Sequence, residues 1–127
     1  MSDEDLRIIY KAVVLAKIMY ASPAWWGFAT AADKKRIEAF VRRGVRLGLY
    51  QADDPTPAEL SSDSDDNLFE CILSNSHHVL SHLLPDKTNH EHNLRDRRHN
   101  RSLCVKGDEK NFLIRQLLRI HIRLVDY

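Results

Sequence analysis

Cysteine is scarce: Cys71 and Cys104 are the only two in 127 residues. A pair so widely separated builds no disulfide framework, and the absence of any Cys-x-x-Cys removes the commonest zinc and redox motifs. Usage this sparse fits a reducing compartment. Glycine is nearly as rare, with four residues, and none of them forms a phosphate-cradling loop or a nucleophile elbow. Long hydrophobic runs are missing too. Arg7, Lys11 and Lys17 interrupt the first apolar region and Pro23 interrupts Ile18 to Ala29, so neither reaches the ~20 residues of a spanning helix. The start, Ser2-Asp3-Glu4-Asp5, is acidic where a signal peptide is basic. These absences predict a soluble intracellular chain, of nucleus or cytoplasm, with no membrane partner. No stretch alternates as a half-buried strand does, and no internal repeat is present.

What is there is a globular composition, 43% apolar and 29% charged, in a chain of ordinary single-domain length. Such a chain buries roughly two-thirds of its unfolded surface. The net charge of +1 conceals a division. Residues 1–50 carry nine Lys/Arg against five Asp/Glu, residues 51–70 none against seven, and residues 71–127 ten against six. An acidic block separates two basic parts.

The periodicity predicts an all-α fold of five or six helices. Ser2 with Asp5 makes a capping box for a helix over Leu6 to Ala21. Its stripe is Leu6, Ile9, Val13, Ala16 and Tyr20, widened by Ile8, Val14, Leu15, Ile18 and Met19. A helix apolar on most sides is either central or lacks its partner. Pro23 and Gly27 break the pattern. Thr30 with Asp33 caps a second helix over residues 31–49, ended by Gly48. Thr56-Pro57 with Glu59 is a further helix start, and "SSDSDDN" (Ser61 to Asn67) makes that helix short. Leu68 begins another, broken near Ser74-Asn75-Ser76, with Val79, Leu80, Leu83 and Leu84 continuing the pattern to Pro85. Residues 86–107 are polar and aperiodic, a long loop of the kind that is functional or disordered. Asp108 to Val125 is a last helix. The organisation expected is a helical segment over 1–50, an acidic hinge with a short helix over 51–67, and a helical tail over 68–127.

Three stretches, "LRIIYKAVVLAKIMYASPAWWGF" (Leu6 to Phe28), "RIEAFVRRGVRLGLY" (Arg36 to Tyr50) and the series "HHVLSHLLP", "NLRDRRHNRSL", "NFLIRQLL" (His77 to Leu118), occur in this order. Together they resemble the region after the polymerase core in reverse transcriptases of non-LTR retrotransposons, of the jockey-like and chicken-repeat-like kind. The resemblance covers nearly the whole chain. It carries the Tyr-x-x-Pro-x-Trp pattern at Tyr20, Pro23 and Trp25, and an Asn-Leu-Arg-x-Arg loop at Asn93, Leu94, Arg95 and Arg97. It implies a thumb-like helical pair, followed by a helical tail with one long basic loop. It also implies a terminal piece of an RNA-directed DNA polymerase, with RNA or DNA and the missing palm and fingers as partners. The Mg²⁺ of the intact enzyme would belong to that palm, so no cofactor is expected here. The cysteine-rich knuckle of some relatives is lacking, and Arg119 to Tyr127 departs from the pattern.

Each candidate site also has a plainer role. "YQADD" (Tyr50 to Asp54) approximates a polymerase signature, but two-metal phosphoryl transfer needs carboxylates holding ions about 3.5–4 Å apart, with another aspartate on a separate strand. Tyr50 stands one residue too far from the pair, so an acidic turn is expected and no catalytic residue is assigned. Arg95, Arg97, Arg98 and Arg101 suit phosphate through their planar forks; the plainer reading is a solvated loop. Arg36 and Arg43, with Lys35, and the pair Arg42 and Arg46 are candidates for nucleic-acid backbone, against an ordinary exposed helix face. His78 and His82 have the spacing of two metal ligands on one helix, with His90 and His92 able to complete four, against capping and packing roles. Trp25, Trp26 and Phe28 could stack bases or pack in a core. Two functions follow: a non-catalytic polymerase fragment supporting primer–template, or a small helical protein–protein module built on the sticky first helix.

Overall fold

The computed structural model of the chain describes residues 1–85 and 110–123, with side chains as far as residue 119. All its regular elements are helical, and no strand occurs among the described residues. The chain divides into two compact units, Met1–Ser64 and Asp65–Tyr127.

The first unit opens with α1 (Asp3–Ile9), held by the expected capping box: the Ser2 hydroxyl accepts from the Asp5 amide at 3.2 Å, and the Asp5 carboxylate accepts from the Ser2 amide at 3.0 Å. From Tyr10 to Leu15 the backbone runs as a π turn before α2 (Ala16–Ile18) resumes. The wider π register brings Tyr10 and Leu15, five residues apart, to one side, and both are buried. This reverses the stripe expected from the sequence. Ile9, Val13 and Tyr20 are exposed, while Tyr10, Val14 and Leu15 face the core.

After α2 the chain turns through residues 19–21, and Ala21 adopts a left-handed conformation (φ 51°) two residues before Pro23. Pro23 then serves in the first turn of α3 (Ser22–Trp25), where its missing N–H costs nothing. α4 (Ala31–Arg46) starts at the Thr30–Asp33 box. It stops at Leu47 in a Schellman arrangement: Gly48 takes φ 75°, its amide reaches the Val45 carbonyl at 3.0 Å, and the Leu49 amide reaches the Gly44 carbonyl at 2.9 Å. The core of this unit is Tyr10, Leu15, Val41 and Tyr50, with Val14, Phe40, Val45, Leu49 and Leu60 against it. Tyr10 lies on the bare backbone of Gly44, stacks on Phe40 at 6.4 Å and tilts against Tyr50 at 5.9 Å.

The helix beginning at Pro57 is not short. α5 runs Pro57–Ser74, straight through "SSDSDDN". Its start is the predicted box, with the Thr56 amide on Glu59 at 2.7 Å. Serine, aspartate and asparagine are poor helix formers because they bond their own backbone. Here Asp65 and Asp66 are instead engaged by Arg115, Gln116 and Arg119 of α6 (Phe112–Arg123).

The later turns of α5, residues 75–85 and α6 are the described parts of the second unit, whose core is Phe69, Ile72, Leu84 and Leu117, flanked by Leu68, Leu73, Leu80, Phe112 and Leu113. The break after Ser74 occurs as expected, but residues 75–85 form turns and a short 3₁₀ segment, Ser81–Leu83, rather than a continued helix. Asn75 organises this stretch: its side chain accepts from the His77 amide and its carbonyl from the His78 amide, both at 3.0 Å.

Candidate nucleic-acid interface

α4 is the element that gathers cationic side chains. Arg36, Arg42, Arg43 and Arg46 are all exposed. At about 100° per residue they fall within an arc of roughly 120°, and Lys35 falls inside the same arc. Ile37, Phe40, Val41, Gly44 and Val45 occupy the other side, which is why the arginines must face outward: the buried side is committed to the first core. None of the five cations makes an ion pair within 4 Å among the described residues. The Arg43 guanidinium lies over the Phe40 ring at 5.9 Å. From Lys35 to Arg46 the face is about 16 Å long, comparable to four or five phosphates of one strand. The two groups that sequence spacing separates, Arg36 with Arg43 and Arg42 with Arg46, are joined by the helix into one face.

The loop that carries Tyr50 to Asp54 is a structural lock. Tyr50 is buried and its hydroxyl donates to the Pro55 carbonyl. The Asp54 carboxylate accepts from Lys11 Nζ at 2.9 Å and from the Gln51 amide at 3.0 Å. These bonds hold its carboxyl below the ordinary carboxylate value, Lys11 contributing most. Arg7 Nε reaches the Gly48 carbonyl at 3.0 Å beside it. Asp54 is thus engaged by Lys11 and Gln51, and Asp53 is exposed.

Next to the cationic face a cleft of about 550 Å³ opens between α4 and the chain leading into α5. Val41, Val45, Pro57 and the edge of Tyr50 form its apolar wall; Arg42, Arg46 and Gln51 stand at its margin. No motif or periodicity in the sequence announces it. The cleft exists because the Schellman stop turns the chain back and the Thr56 cap starts α5 alongside α4.

Arg95, Arg97, Arg98 and Arg101 lie outside the described residues, as do His90, His92 and Cys104. His78 and His82 do not share an α-helix. His78 sits in a turn where its Nδ1 accepts from the Leu80 amide at 3.1 Å, and His82 belongs to the 3₁₀ segment. Among the described residues no three His, Cys, Asp or Glu side chains gather as a metal site, and Cys71 is free and exposed. Trp25 and Trp26 pack on each other at 5.7 Å; Trp25 donates to the Tyr20 carbonyl at 2.8 Å and Lys34 lies 5.0 Å over Trp26. No described helix is long and apolar enough to cross a membrane. On the α1–α2 surface Ile8, Ile9, Val13 and Tyr20 are exposed, with Ala12 and Ala16 between them. Comparison with protein-family models, with curated proteins and with solved structures finds no match.

Proposed function

We propose that the chain is a non-catalytic helical portion of a retrotransposon-type RNA-directed DNA polymerase, contacting nucleic-acid backbone through α4. The observation that carries this reading is the exposed arc of Arg36, Arg42, Arg43 and Arg46, free of carboxylate partners within 4 Å among the described residues. Backbone contact is electrostatic and indifferent to sequence, so its signature is salt dependence. The expected result is binding of duplex at low salt that weakens steeply as salt rises. Changing Arg36, Arg43 and Arg46 together to Gln lowers the salt slope by about 0.9 for each phosphate that is no longer neutralised. An unchanged slope removes α4 from the interface. The ordered resemblance of Leu6 to Phe28 and Arg36 to Tyr50 to the post-palm region supplies the polymerase context, and the intact enzyme's palm would supply catalysis and its Mg²⁺.

A second reading, a helical protein–protein module, is favoured by the exposed Ile8, Ile9, Val13 and Tyr20. An apolar surface of this kind, sharing one short segment, is characteristic of an interface. Light scattering over a concentration series checks it: self-association should appear and should vanish in Val13→Glu, an exposed position. A concentration-independent monomer counts against self-association through this surface.

A further inference from the structure

The cleft beside α4 is not required by a duplex-backbone face. We propose that it takes one unstacked nucleotide of a single strand, its base against Val41, Val45 and Pro57 and its phosphate held by Arg42 and Arg46. The inference rests on the α4 reading above and narrows it.

The chemistry of the cleft argues for an occupant with an apolar flat part and an anionic end. Its volume of about 550 Å³ lies within the usual range of small-molecule sites, which are mostly apolar with a few placed polar groups. The anionic end is specified by Arg42 and Arg46, four residues apart at the margin, both exposed and neither in an ion pair within 4 Å among the described residues. Guanidinium forks suit phosphate oxygens. Glu38 also lines the cleft, one turn before Arg42.

The edge of the base is met by Gln51, at the margin. Its backbone amide is committed to Asp54, while its exposed side-chain amide both donates and accepts, so it can meet the edge of any base. Of the two other polar groups nearby, Asp54 is held by Lys11, and the Thr56 hydroxyl accepts from the Glu59 amide, which leaves it its O–H to donate. A base inside a duplex is stacked and cannot enter without being extruded. The cleft therefore prefers single-stranded ends or gaps.

The test is fluorescence anisotropy on the full chain, using a labelled short oligothymidylate and a hairpin duplex of equal phosphate count at matched salt. The expected result is tighter binding of the oligothymidylate. Ala52→Leu fills the cleft from an exposed turn; it should weaken the oligothymidylate roughly tenfold, the scale of removing one stacked base, and leave the duplex unchanged. Gln51→Ala, equally exposed, should weaken the single strand in the same selective way. Equal binding of both probes, or Ala52→Leu and Gln51→Ala indistinguishable from the parent, overturns the cleft assignment and leaves the α4 reading standing. Failure of both probes to bind at low salt overturns both. Thymidine monophosphate binding as tightly as the oligonucleotide makes the ligand a free nucleotide and overturns the strand assignment.

Discussion

Asp65→Leu should cost the second unit about 3–5 kcal/mol, while Asp65→Leu combined with Arg115→Met should cost little or add about 1–4 kcal/mol of stability. The asymmetry comes from burial. Asp65 is 3% exposed, and one of its oxygens meets Arg115 Nη2 at 2.9 Å while the other has no hydrogen-bond partner among the described residues. Burial pushes the carboxyl above its ordinary value, with Arg115 pulling it partly back. A charge in that position is tolerated only because its counter-charge is present. Leucine removes one charge and leaves Arg115 without its buried carboxylate, whereas the double change leaves neither, and methionine gives up only the guanidinium's contact over the Phe112 ring at 5.9 Å. Urea unfolding of the two variants separates these cases.

The pH dependence has a definite sign. A carboxyl raised in the folded state contributes stability that is fully present below its unfolded value, 3.8, and is lost as pH rises through the folded value. The advantage of the double variant over the parent should therefore be smallest below pH 3.8 and grow as pH rises.

Gly44→Ala should destabilise the first unit by about 1–3 kcal/mol, the cost of overpacking a well-filled core. In a helix interior the same change would ordinarily help by about 0.8–1 kcal/mol, so the sign of the effect is diagnostic. A Cβ at Gly44 would stand 2.8 Å from Tyr10 Cζ and nearer still to the hydroxyl. The ring cannot swing away, being buried between Phe40 and Tyr50. The Tyr10 hydroxyl is itself buried with no hydrogen-bond partner among the described residues, so Tyr10→Phe should be neutral or mildly stabilising. The pair of changes made together should recover part of the loss, a coupling that a double-mutant cycle in urea measures. A stabilised Gly44→Ala variant would mean that the ring does not sit on this glycine.

The starts of α1, α4 and α5 are legible in the sequence because they are local. Ser2, Thr30 and Thr56 each meet an acidic side chain three residues on, and Gly48 supplies the left-handed stop. What does not read is set at a distance. The length of α5 contradicts the local preference of "SSDSDDN", and its reason lies in Arg115, Gln116 and Arg119, about fifty residues later. The stripe of the first helix is misplaced from Ile9 onward, which is exposed before the π turn begins, because two apolar faces compete and Tyr10 with Val14 wins the core; the turn then brings Leu15 to the same side. Of the cationic face of α4, spacing gives the two groups, Arg36 and Arg43 with Lys35 and the pair Arg42 and Arg46; the helix joins them into one arc. The cleft does not follow from spacing, because it is made where two segments separated by a turn come side by side. The basic loop, Arg95 to Arg101, lies outside the described residues and stays an expectation of the sequence.

The π turn also governs what could lie along the first helix. An α-helix advances about 100° per residue, and the turn from Tyr10 to Leu15 advances less at each step. The surface before it and the surface after it are therefore out of phase. Ile8 and Ile9 on one side, and Ala16 and Tyr20 on the other, do not lie along a single straight line of knobs. A regular partner helix in register with the first half would lose step over the second. Any occupant of that surface must carry a matching offset or grip one half only, which makes the surface selective by geometry even though its chemistry is plain hydrocarbon.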